Sequence, residues 1–139
     1  MKTLRTLIKL HKKQIDDLIT EINDFDQQKD TLEQNLQNLL EQVNKEIAEF
    51  AAGDYAFMLD KFLTSSKHNE KKIKDKISKL IEHLESLREE LYAQFSELKK
   101  YEIALQNRLL EEQEALKKYE MKILDEYNTN KFTSNMNEK

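Results

Sequence analysis

The chain has 139 residues, with 23 Lys and Arg against 27 Asp and Glu, a formal net charge of −4, and 36% charged against 38% hydrophobic residues. That acidic balance, with a pI near 5.5, argues against a general nucleic-acid binder. The absence of cysteine removes disulfides, thiolate nucleophiles and Cys-ligated zinc and suits a reducing compartment. No apolar run approaches the roughly 20 residues that cross a bilayer, and the opening Met1-Lys2-Thr3-Leu4-Arg5-Thr6-Leu7-Ile8-Lys9 has charge too frequent for a signal-peptide core. The chain therefore reads as a cytoplasmic protein.

One glycine and no proline, with abundant Leu, Glu, Lys and Gln, favour long helices in one domain. Residues 2–52 read as the first helix, roughly 75 Å long at about 1.5 Å per residue. Its heptad positions are Ile8, Ile15, Ile22, Lys29, Leu36, Val43 and Phe50, alternating with Leu4, His11, Leu18, Phe25, Leu32, Leu39 and Glu46; eleven of these fourteen are apolar. A stripe that narrow calls for a partner helix rather than a broad core.

Gly53 and Asp54 form the clearest punctuation, a residue suited to ending one helix followed by one suited to capping the next. The apolar Tyr55–Leu63 segment, with Tyr55, Phe57, Met58 and Phe62, reads as a cap over the hairpin end or as a docking patch. The polar run Thr64–Asn69 reads as a loop or an exposed start of the second helix. The connector therefore spans about 53–72. A second stripe follows over 73–127 through Ile73, Ile77, Leu80, Leu84, Leu87 and Leu91. It steps to Phe95 with two fours in succession, a stutter that locally unwinds a supercoil, then continues through Leu98, Glu102, Leu105, Leu109, Leu116, Tyr119 and Ile123. Residues 128–139, rich in Asn and Thr and without periodicity, read as a frayed tail.

The fold expected is all-α, an antiparallel two-helix coiled-coil hairpin over 1–127 with a short capping segment. Its register is set by matching apolar positions. Partners whose numbers total about 123 place Leu36 opposite Leu87 and Ile8 opposite Leu116, with His11 opposite Glu112. They also lay the basic opening, Lys2, Arg5, Lys9, Lys12 and Lys13, beside Glu111, Glu112 and Glu114. A tighter reversal, totalling about 106, would set Leu36 and Leu39 against the polar run 64–72. The preferred register leaves Lys29 against Phe95 and Ile22 against Glu102.

Enzyme chemistry has no support. His11, His68 and His83 are scattered without a Glu-x-x-His or His-x-x-x-His motif, so no metal site is expected. A single glycine cannot build a phosphate loop, and no cofactor is expected.

Two stretches resemble the flagellar FliJ family of type III export proteins: the opening Leu4–Asp16, with leucines and basic residues interleaved over two heptads, and Phe95–Ala104, which contains Lys99-Lys100-Tyr101-Glu102. The plan of two long helices and a loose tail also matches. The resemblance implies a non-enzymatic stalk and adaptor of the flagellar export apparatus, at the cytoplasmic face of its membrane-embedded part. It would bind a hexameric export ATPase and couple it to the export gate membrane protein or to export chaperones, with no nucleic acid and no membrane insertion of its own. The resemblance assigns the ATPase end to Leu4, Arg5, Ile8, Lys9 and Lys12 with Leu116, Tyr119 and Ile123. It assigns a charged patch to Lys99 and Glu102, and gives Glu102 an outward role. The chain is expected to be a monomer or a weak homodimer. The alternatives are a self-associating structural coiled coil, or a chaperone gripping clients near Tyr55–Leu63.

Overall fold

In a computed structural model, which describes residues 2–50 and 56–137, the chain forms two helices, α1 (Lys2–Phe50) and α2 (Ala56–Asn137). They pack against each other as a hairpin, so the all-α hairpin expected from the heptads is what forms. The expected Gly53-Asp54 punctuation and Tyr55 lie outside the described residues. Contacts group into two units, Lys13–Phe95 and Met1–Lys12 with Ser96–Lys139.

The remainder of the expected connector, 56–72, is helix, and α2 runs on to Asn137. No Gly or Pro follows Gly53, so nothing in the backbone stops a helix. The capping residues are satisfied within it. Thr64 Oγ1 donates to the Asp60 carbonyl at 2.9 Å, and Thr133 Oγ1 to the Thr129 carbonyl at 2.9 Å, which removes their competition with the backbone. A Glu70–Lys74 ion pair at 2.8 Å adds i,i+4 support.

Along α1 every heptad position named above is buried or half-buried. The seam of α2 is longer and differently phased. From Leu59 it runs through Leu63, Ser66, Glu70 and Ile73 to Leu91, then Gln94, Leu98, Tyr101 and Leu105, all buried or half-buried. Four and three alternate throughout, so the expected stutter does not occur. Gln94 takes the seam position, and Phe95 is 48% exposed. Seam membership follows phase, since a side chain one position out of phase is rotated about 100° from its neighbour.

The register also differs from expectation. Within the 13–95 unit, Phe25 meets the His83 ring edge-on at 4.6 Å and Asp26 pairs with Arg88 at 3.4 Å. Within the other unit, the His11 ring stacks on Tyr101 at 5.2 Å. The partners' numbers total 108, 114 and 112, close to the tight reversal and far from 123. His11 therefore does not meet Glu112, nor Ile22 Glu102. Ile22 instead joins Leu18, Leu84 and Leu87 in the principal buried cluster, with Phe25 and Leu91 against it. With α1 ending at Phe50 and α2 starting at Ala56, residues 51–55 are too few to allow a shift of two heptads.

Apolar burial is concentrated at that cluster. Toward the closed end the α2 seam offers Ser66 and Glu70, and Leu36, Leu39 and Val43 remain only half-buried. Leu84, 1% exposed, should therefore matter most. Leu84→Ala is expected to lower the unfolding free energy by about 2–3 kcal/mol, while Phe95→Ala changes it by less than about 1 kcal/mol. Urea titrations followed by circular dichroism give both values.

Candidate functional site

The first thirteen residues of α1 carry five cations and no acid. Lys2, Arg5, Lys9 and Lys12 follow a three, four, three spacing, which places them along one side of the helix. All four, and Lys13 beside them, are exposed. Cations in the first turn oppose the positive end of the helix dipole, so local stability does not account for them. Neither do ion pairs, since among the described residues none of the five lies within 4.0 Å of a carboxylate. The pairing expected with Glu111, Glu112 and Glu114 does not form among the described residues; at the level of the His11–Tyr101 stack those acids lie beyond Arg5, Lys9, Lys12 and Lys13.

Leu4 and Ile8, on the same helix, are seam residues: Leu4 is half-buried and Ile8 buried. They support the hairpin end and present little surface. Leu116, Tyr119 and Ile123 have the opposite character, at 57%, 62% and 48% exposed. The two groups are not brought together. With His11 on Tyr101, α1 reaches its first residues near position 108 of α2, and α2 continues to Asn137. Every described residue from Gln106 to Asn135 is exposed, and beyond about position 110 α2 runs without α1 alongside for roughly 40 Å at about 1.5 Å per residue.

This uncovered helix keeps an apolar side. Leu109, Leu116, Tyr119, Ile123 and Tyr127, all exposed, fall within about a quarter-turn of one another at about 100° per residue. Its charges are mixed, with Glu111, Glu112, Glu114, Lys117, Lys118 and Lys122 all within about three turns. An amphipathic helix standing alone in water gains nothing from its apolar side. The stripe is left open to solvent along α2.

The Lys99 and Glu102 patch lies beside the His11–Tyr101 stack. Lys99 is exposed and Glu102 half-buried. The latter flanks the seam, where Tyr101 takes the position that hydropathy spacing alone assigns to Glu102. Lys100 bonds to Glu97 at 3.2 Å. At the other end of α2, Phe57 and Met58 are exposed, at 65% and 49%, and Phe62 is half-buried. Among the described residues no group of three or more His, Asp or Glu could hold a metal, and no helix is long and apolar enough to cross a membrane.

The sequence pattern identified Leu116, Tyr119 and Ile123 as apolar but took them for seam. The signal it lacked was the register. Leu109 and Tyr127, on the same stripe, were not singled out as functional.

The family model described as flagellar FliJ protein matches residues 1–137, nearly the whole chain. No curated protein and no solved structure matches the chain significantly.

The charge argument gives a test of the basic stripe. Lys2→Glu and Arg5→Glu should each raise the unfolding free energy by about 0.3–1 kcal/mol, because each replaces a cation opposing the dipole with an anion favoured by it. Thermal melts at low salt should show the gain, and it should shrink as salt is added.

Proposed function

The chain belongs to the FliJ family of flagellar proteins and is a component of flagellar type III protein export, and from that premise we propose that it is the stalk and adaptor of the export ATPase. The family is one of structural export components rather than enzymes. In this reading the end formed by the first turns of α1 and the uncovered part of α2 enters the hexameric ATPase. Other surfaces of the chain remain available to the export gate membrane protein and to export chaperones.

The observation that carries the reading is the uncovered helix from Gln106 to Asn135. A single amphipathic helix with an exposed apolar stripe suits insertion into a ring, where surrounding subunits cover all sides at once. The exposed basic stripe of Lys2, Arg5, Lys9 and Lys12 stands at its base in the same unit and offers charge for the ring's mouth. Leu4 and Ile8 hold that base together. Lys99 and Glu102 form a neighbouring patch for the gate or chaperones. A chaperone-handling role at the other end of α2 is favoured separately by the exposure of Phe57 and Met58.

The test is co-purification of full-length variants with the export ATPase. Replacing Leu116, Tyr119 and Ile123 together by Ser should weaken binding at least tenfold, about 1.4 kcal/mol or more, while leaving helix content unchanged. Arg5→Glu with Lys9→Glu should also weaken it, most strongly at low salt. Phe57→Ser with Met58→Ser should leave ATPase binding intact. Full ATPase binding by the triple Ser variant would rule out this end as the docking end.

A further inference from the structure

The two sides of the 13–95 unit differ in chemistry. In each helix the residue after every second seam position forms a flanking row. On α1 this row is Ile19, Asp26, Glu33, Leu40 and Ile47; on α2 it is Lys67, Lys74, Ile81, Arg88 and Phe95. The Asp26–Arg88 contact at 3.4 Å shows that both rows border the same side of the hairpin. Ile19, Leu40, Ile47, Ile81 and Phe95 are all more than a third exposed. Exposed apolar side chains thus share each row with charges, acidic on the α1 row and basic on the α2 row.

The opposite side is unlike it. There a groove is lined by Asn35, Asn38, Gln42, Asn69 and Lys76, and Glu21 falls level with Glu90. It is amide-rich and brings like charges together.

We propose that the side bearing Asp26 and Arg88 is a self-association surface, which a second copy of this chain covers to make a four-helix bundle. The charge pattern selects this occupant. A two-fold axis running along the helices sets α1 of one copy on α2 of the other, antiparallel and at the same height. Ile19 of one copy then lies over Arg88 and Phe95 of the other. Asp26 lies between Ile81 and Arg88, and Glu33 between Lys74 and Ile81. Every acidic position of the α1 row meets a basic position of the second copy's α2 row, and the symmetry repeats each pairing. The size is also adequate. The row from Ile19 to Ile47 is about 42 Å long at about 1.5 Å per residue, and two helices about 10 Å wide give a face near 800 Å², about the area per partner of a standard stable interface.

The surface lies outside the proposed ATPase end, so the two can be tested apart. Full-length chains are examined by sedimentation equilibrium over micromolar concentrations. Wild type should form a dimer. Asp26→Lys with Glu33→Lys should weaken that dimer roughly tenfold or more, as should Lys74→Glu with Arg88→Glu in a separate chain, because each homodimer then opposes like charges twice. Mixing the two variants should restore a one-to-one heterodimer, a rescue that general loss of structure cannot produce. Circular dichroism verifies that each variant keeps its helix content. A wild-type chain that stays monomeric over this range overturns the proposal and assigns the face to a different partner. Failure of the mixed variants to pair, with both folded, overturns the arrangement as well.

Discussion

The structure depends on how little chain separates its two helices. α1 ends at Phe50 and α2 begins at Ala56, so the residue facing each seam position is decided near the turn and carried along both helices by their rise. Hydrophobic matching then adjusts within that frame. At the closed end the frame puts Ser66 and Glu70 into the seam, which apolar matching alone would avoid. Near the middle it brings Leu18, Ile22, Leu84 and Leu87 together. At the open end it exhausts α1 while α2 continues to Asn137. One covalent constraint thus sets a weak seam, a firm seam and an uncovered helix in succession along α2.

The same constraint explains the surfaces. A hairpin buries one stripe of each helix and leaves the rest to solvent, so its stability comes from few residues and its other sides are free to carry chemistry. The basic stripe of Lys2, Arg5, Lys9 and Lys12 is such a side. It opposes the helix dipole and closes no ion pair among the described residues. The apolar stripe from Leu109 to Tyr127 is another, exposed because the register leaves nothing opposite it.

Much of this was legible in the sequence. The seam of α1 could be read residue by residue, since its apolar side chains recur without interruption and no breaker falls among them. The hairpin followed from the same pattern, and the family from the resemblance carried by Leu4–Asp16 and Phe95–Ala104. The seam of α2 could be read from Ile73 to Leu91, then lost at Phe95, because hydropathy prefers Phe95 to Gln94 while packing preserves phase. The polar run from Thr64 to Asn69 looked like a loop because Ser, Thr and Asn often cap or turn, yet with no Gly or Pro to stop it the helix absorbs them through bonds such as Thr64 to Asp60. Register is where apolar matching and the structure differ most. Maximising apolar pairs favoured a match that the short reversal forbids. The candidate site follows the register: Leu116, Tyr119 and Ile123 are exposed on α2 and stand clear of α1 rather than pairing with it.

Register is therefore the quantity to measure. The chain has no cysteine, so engineered pairs report on it without background, and a disulfide forms only where Cα atoms approach within about 7 Å. Two double variants share one position: Ile22→Cys with Leu87→Cys, and Leu36→Cys with Leu87→Cys. Under mild oxidation the first should close an intramolecular disulfide rapidly and the second should remain reduced. Rapid closure of the Leu36 and Leu87 pair instead would shift the hairpin by two heptads, cover Leu116 and Tyr119 with α1, and contradict the account of an uncovered helix.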